Sequence, residues 1–320
     1  MLFVNRRASL AAVPPQASMA DALTWATGTY ELPQAALNPP VVTTTKRLCG
    51  SVLCTTSRIS PFRSRKRPIF EEQWGCSGRC VLAMVQAAVR REIAGGLETS
   101  VAQHRHRLPL GLLMLGQGWI TQAQLQYALA VQKLHGGRIG DWLVAECGVA
   151  PEHVTRGLSL QWSCPVLTAR GFSPAAMALI VPKLFVEEFG LVPLRIAGSQ
   201  LLYVGFEERL DASAARGLEQ MMNLKVESGL VGTLEYSTIR QSLLSQLVAP
   251  AKCEVAADAD ALAARITAIL EQKQPIGAKV VRMHRYLWLR LWLEKASRAS
   301  RGAAPRDHED ILDYIFTVGR

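Results

Sequence analysis

Residues 109–132 recur at 138–161, a shift of 29 positions with no gap. Under it Gly111 falls on Gly140, Leu129 on Leu158 and Gln132 on Gln161. Leu110 meets Ile139, Met114 meets Leu143, Leu115 meets Val144, Ile120 meets Val149 and Leu125 meets Val154. A unit that recurs at fixed spacing constrains a chain more than local propensity does, because each copy must bury its apolar stripe on the other. Each copy reads as a short helix, a glycine turn and a longer helix. In the first, Gly118 ends one helix and Thr121 opens the next, with Gln124 three residues on completing a capping box. In the second, Pro151 takes the first helical position, where its missing N–H costs nothing. Leu125, Leu129 and Gln132, and then Val154, Leu158 and Gln161, lie on one face at helical spacing. Two stacked helical hairpins are expected.

The pattern resembles the tandem motif of the MshEN domain, the GspE-type N-terminal domain of type II secretion and type IV pilus extension ATPases. That motif begins Arg-Leu-Gly, passes two apolar positions and a glycine turn, and ends Leu-x-x-x-Leu-x-x-Gln. A second copy follows after five residues, here Lys133–Gly137. The resemblance implies a regulatory head without its motor, with cyclic di-GMP as the ligand of the paired motifs. The implied ligand-binding residues are Leu110, Gly111, Leu125, Leu129 and Gln132 in the first copy. In the second they are Arg138, Ile139, Gly140, Val154, Leu158 and Gln161. This chain departs from the motif twice. Pro109 stands where the first Arg belongs, and Arg107 substitutes for it only if the chain bends there. The second turn reads Cys147-Gly148, which displaces its glycine by one.

The chemistry has its own logic. A guanine presents a flat face and two acceptors, which an arginine can stack upon or bond with its planar fork. Glycine lets backbone approach a ligand closely. Leu110, Leu125, Leu129, Ile139, Val154 and Leu158 are either an apolar seat for such a base or simply the core between the hairpins. The residues alone leave both readings open.

The chain of 320 residues has 49% hydrophobic and 19% charged residues, as a globular protein of two or three domains would. Its net charge of +10 favours acidic partners: nucleotides, nucleic acid or an anionic membrane surface. No apolar run approaches the roughly 20 residues that span a bilayer, and Met1–Gln16 lacks the apolar core of a secretion signal. These features point to the cytoplasm. Between Leu32 and Phe70 there is no acid, while Lys46, Arg47, Arg58, Arg63, Arg65, Lys66 and Arg67 are basic. The run is a solvated linker or, in a nucleic-acid binder, a grip on phosphates.

Cys49 and Cys54, then Cys76 and Cys80, are spaced C-x4-C and C-x3-C, looser than the C-x2-C knuckles of zinc ribbons, so no metal site is assigned. Cys147, Cys164 and Cys253 read as buried thiols. His104 and His106 read as hydrated loop residues.

The expected class is α+β, mostly helical, in four parts: a basic N-terminal region (1–78), a helical region with the repeat (79–168), a small α/β subdomain (169–250) and a helical C-terminal extension (251–320). Arg79–Ala94 is an amphipathic helix stopped by Gly95-Gly96. A helix from Ser173-Pro174 to about Phe189 is kinked or restarted at Pro182. A hairpin over 191–196 and 201–206, helix 211–222, strand 224–231 and helix 238–247 follow. This α/β half resembles the second half of the same N-terminal domain, so the resemblance covers 107–248. Helices are expected over 258–273 and 277–297. The latter is basic and amphipathic, with Tyr286, Trp288 and Trp292 covering a core or docking on a membrane or partner.

No G-x-x-x-x-G-K-[ST] loop, G-x-S-x-G elbow or H-E-x-x-H helix occurs, so no catalytic residue is assigned and the chain is not expected to be an enzyme. Three readings follow: a cyclic di-GMP receptor or adaptor linked to pilus or secretion machinery, an interaction module of such a system that has lost the nucleotide, and a nucleic-acid binder using 46–67.

Overall fold

The computed structural model describes residues 49–55, 69–98, 108–198, 200–207, 212–246, 251–293 and 307–318. Most of the basic run, His104, His106 and Arg107 lie outside these residues. Two short strands, β1 (Ile69–Phe70) and β2 (Gln73–Trp74), precede the long helix α1 (Gly78–Glu98). The repeat is α2 (Leu110–Gly116), α3 (Gln122–His135), α4 (Ile139–Ala145) and α5 (Pro151–Trp162). Then come α6 (Pro174–Met177), α7 (Lys183–Phe189), β3 (Val192–Ala197), β4 (Leu201–Phe206), α8 (Ala212–Met222), β5 (Lys225–Leu230) and α9 (Thr233–Leu244). The last part is β6 (Lys252–Ala256), α10 (Ala259–Lys273), β7 (Gly277–Met283), β8 (Tyr286–Trp292) and β9 (Ile311–Val318). The α+β, mostly helical class holds.

Local chemistry accounts for most boundaries. The Thr121–Gln124 capping box forms in full, and Pro151 opens α5. Of the two expected effects of Pro182, a kink or a restart, the structure shows the restart: Pro182 is the N-cap of α7. Asp258 caps α10 by accepting from the Ala261 N–H at 2.7 Å. Helix α1, by contrast, runs through Gly95-Gly96. Glycine costs a helix only about 1 kcal/mol, and tertiary bonds hold this end: Arg282 donates its backbone N–H to Glu92 and its guanidinium to the Ile93 carbonyl.

The subdomain sheet has the order β3-β4-β5, with β3/β4 antiparallel and β4/β5 parallel. Val166 bridges Leu230 on the far side of β5. Leu167 donates to Leu230 at 2.7 Å and Leu230 to Pro165 at 2.9 Å, fastening the chain after the repeat to this sheet. A Cβ on Gly229 would stand 2.5 Å from the Pro165 carbonyl oxygen, so this approach needs glycine.

The C-terminal part corrects one expectation. Of the residues expected as a helix over 277–297, 277–292 form the antiparallel β7–β8 hairpin of a four-stranded sheet, order β6-β9-β8-β7. The reason is visible in Tyr286-Leu287-Trp288-Leu289-Arg290-Leu291-Trp292, which alternates with period two. Tyr286 and Trp288 join the core that holds α6, α7, β3, β4 and α8. Leu287, Leu289 and Leu291 join a second core with α1 and α10. A strand buried on both faces has no polar side, and its apolar run is easily mistaken for a buried helix. Cys253 is also corrected: it is exposed on β6, not buried. Among the described residues no helix is long and apolar enough to cross a membrane.

Candidate functional site

The two repeat units pack crosswise, α2 on α5 and α3 on α4. Each glycine of the motif sits where these pairs meet. A Cβ on Gly111 would lie 2.5 Å from Leu125 Cδ1 and 3.4 Å from Ile139 Cδ1. A Cβ on Gly140 would lie 2.8 Å from Val154 Cγ1 and 3.8 Å from Leu110 Cδ2. These neighbours exchange under the 29-residue shift, so the units are related by an approximate two-fold. Met114, Ala128 and Leu143 at the centre are fully buried.

The terminal glutamines obey the same symmetry. The Gln132 amide donates to the Gly137 carbonyl at 2.9 Å, and the Gln161 amide donates to the Leu108 carbonyl at 2.8 Å. Each therefore holds the residue just before the other unit's motif position, 109 or 138. The displaced glycine is absorbed. Trp119 N–H closes on the Met114 carbonyl in the first turn, and Val149 N–H on the equivalent Leu143 carbonyl in the second, one residue further along. Gly118 and Gly148 supply the positive φ of 71° and 65° that each closure needs. Crossed contacts pin both turns: Trp119 stacks on His153 at 5.3 Å, and the Gln124 amide donates to the Cys147 carbonyl at 3.0 Å. Burial, with Glu146 adding, pushes the Cys147 thiol above its ordinary range.

Of the residues singled out in the sequence, Leu110, Gly111, Leu125 and Gly140 are buried, and Ile139, Val154 and Leu158 are packed against them. They pack together between the hairpins, with Ile139, Val154 and Leu158 only partly buried. Leu129 is the member that reaches the surface, 47% exposed. Arg138 is at the N-cap of α4, where its guanidinium pairs with Asp141 at 2.9 Å, both side chains more than half exposed. The equivalent positions in the first unit are Pro109 and Leu112, both exposed, so one half of the surface is charged and the other apolar. Arg107 lies outside the described residues. Trp142 was missed by sequence reasoning: its indole N–H donates to the Gly136 carbonyl at 2.8 Å and covers the Gly136-Gly137 turn beside Arg138. The Gly-Gly pair after His135, both at positive φ, was its signal.

Two features lie elsewhere. An open groove of about 810 Å³ between α7 and α9 is edged by Glu187, Glu188 and Glu207 with Arg240, a balance that repels anions. Cys49, Cys54, Cys76 and Cys80, which the spacing alone did not assign to a metal, come together with their Sγ atoms within 4.8 Å of one another.

The packing of the motif glycines gives a prediction of opposite signs. Alanine at Gly140 gains up to about 1 kcal/mol of helix propensity but overpacks against the stiff Val154, at a cost of about 1–3 kcal/mol. Gly140→Ala should therefore lower the stability of the chain. Gly116→Ala, with nothing within 4 Å of its Cβ, should raise it slightly. Equal effects in urea unfolding would refute this account of the core.

No protein-family model matches the chain, and no curated protein does. Solved structures similar to it include MshE with cdg (21% identity, TM-score 0.33), which matches 42% of this chain and 98% of that one. The N-terminal domain of XpsE is similar in two crystal forms. One has 13% identity, TM-score 0.31 and coverage of 42% of this chain and 92% of the other. The second has 14% identity, TM-score 0.25 and coverage of 40% and 90%.

Proposed function

We propose that the tandem repeat is a receptor surface for cyclic di-GMP in a non-catalytic regulatory or adaptor protein. It would act in the cytoplasm with type IV pilus or type II secretion-like machinery. The observation that carries this reading is the two-fold relation between the units. A ligand made of two identical halves asks for two equivalent surfaces, and the crossed glutamine bonds hold the two motif starts equivalently. A chain of net charge +10 favours such a dianion. Arg138 has the chemistry to stack on or fork to a guanine. Its ion pair with Asp141 is exposed and worth about 0–1 kcal/mol.

Binding is expected to be lopsided. An arginine over a ring contributes about 0.5–2 kcal/mol, and a bidentate base contact about 1–3 kcal/mol by analogy with DNA readout. Arg138→Ala should weaken cyclic di-GMP binding at least about tenfold, equivalent to about 1.4 kcal/mol. Pro109→Arg should strengthen it. Arg107→Ala is the control, and a large loss there would mean that Arg107 fills the first half. The measurement is a titration with fluorescent cyclic di-GMP. No binding at about tens of micromolar, roughly −6 kcal/mol, would remove the receptor reading.

The interaction-module reading would then take its place. It is favoured by the exposed Leu112, Tyr127, Leu129, Leu134 and Leu160 on the outside of the repeat.

A further inference from the structure

The four clustered cysteines arrive on two arms. Cys49 and Cys54 flank a turn in which the Cys54 N–H donates to the Ser51 carbonyl at 3.2 Å. Cys76 follows β2, and Cys80 lies in the first turn of α1. The arms are joined by a bridge between Cys49 and Trp74 and by Gly50 donating to the Trp74 carbonyl at 2.9 Å. Glycine is required at that approach, because a Cβ on Gly50 would stand 2.6 Å from Gln73 Cβ.

The separations identify the chemistry. Cys54 Sγ and Cys80 Sγ each lie 3.5 Å from Cys76 Sγ. A disulfide bond is about 2.05 Å long. Four sulfurs on a tetrahedral zinc, each about 2.3 Å from the metal, stand about 3.8 Å apart. These two separations are close to that edge, and all four sulfurs lie within 4.8 Å of one another. The surroundings suit thiolates as well. The Cys76 N–H points at Cys49 Sγ at 3.4 Å, a bond that a thiolate strengthens. Cys80 is at the N-terminus of a 21-residue helix, whose dipole favours negative charge. Ser51, inside the Cys49–Cys54 turn, buries a hydroxyl with no hydrogen-bond partner among the described residues. The C-x3-C spacing, loose for a ribbon, works here because Ser77 turns the chain between Cys76 and the first turn of α1, its hydroxyl accepting from the Cys80 N–H at 3.2 Å and its carbonyl from the Val81 N–H at 3.0 Å.

We infer that Cys49, Cys54, Cys76 and Cys80 hold one zinc ion in a structural site ahead of the repeat. An all-sulfur tetrahedron selects zinc among the common divalent ions. Binding replaces four S–H bonds with four Zn–S bonds and releases four protons, so occupancy is lost as the pH is lowered. The ion ties residues 49–54 to the β1–β2 hairpin, which is itself bonded to β7 through Glu71 N–H and the Ala278 carbonyl at 2.8 Å.

The test is metal analysis of the full chain purified without chelator, followed by exchange into cobalt(II). About one zinc per chain is expected, with the intense visible and sulfur-to-metal bands of tetrahedral cobalt thiolate after exchange. Cys76→Ser should lose the metal, whereas Cys253→Ser, at an exposed cysteine outside the cluster, should keep it. If Cys76→Ser does not fold, the zinc content and cobalt spectrum of the unaltered chain decide. Substoichiometric metal, a cobalt spectrum without sulfur bands, or a disulfide within the cluster in freshly purified protein would each overturn the inference. Iron in place of zinc would overturn the choice of metal.

Discussion

Arg290→Ala should destabilise the chain by about 3–5 kcal/mol, the cost of breaking a buried ion pair by removing one partner. Arg290 is 0% exposed in mid-strand β8, directly opposite Asp313 on β9. Its guanidinium makes a two-pronged contact with that carboxylate, 2.8 Å on each arm, and donates to the Ile180 carbonyl at 3.0 Å. Without it the Asp313 carboxylate keeps the Trp288 indole N–H, at 2.8 Å, but loses its neutralising charge. Replacing both members, as Arg290→Met with Asp313→Leu, should cost clearly less than the sum of the single changes, because the uncompensated charge goes with its partner. Urea unfolding with an unchanged slope is the measurement. A loss below about 1 kcal/mol for Arg290→Ala would place the pair among surface-like contacts and contradict its burial.

Trp288→Ala should cost about 3–5 kcal/mol, the range for truncating a large buried aromatic. The ring is 0% exposed and packs edge-on against Phe185 at 5.4 Å, with the Arg290 guanidinium 4.7 Å from its centroid. Because Trp288 and Arg290 touch, their losses should not add. The contrast is Trp292, which is only partly buried against the same core and should cost less. If Trp288→Ala instead kept its stability and lost affinity for anionic vesicles or a partner, the docking reading of these aromatics would be restored. Its full burial argues against that outcome.

The hairpins of the repeat could be read before any contact was known. Their boundaries rest on local chemistry, a capping box at Thr121 and a proline at position 151, and their mutual burial rests on a shift that any reader can apply. The β3–β4 hairpin and α8 were legible for the same reason: alternation and helical periodicity are properties of short stretches. Other features depend on what the rest of the chain brings near. That Leu110 and Leu125 are buried depends on α2 packing on α5 and α3 on α4, contacts that no short stretch of sequence contains. Tyr286–Trp292 became a strand because α1 and α10 bury one face and the α/β subdomain buries the other. Those layers come from segments up to two hundred residues away in sequence. The two cysteine pairs had unpromising spacings alone. Only the turn at Ser51 and the start of α1, folded against one hairpin, put four sulfurs within reach of a single ion. Periodicity and caps act over a few residues and are written in them; burial and ligand sets are properties of neighbours, and neighbours are chosen by the fold.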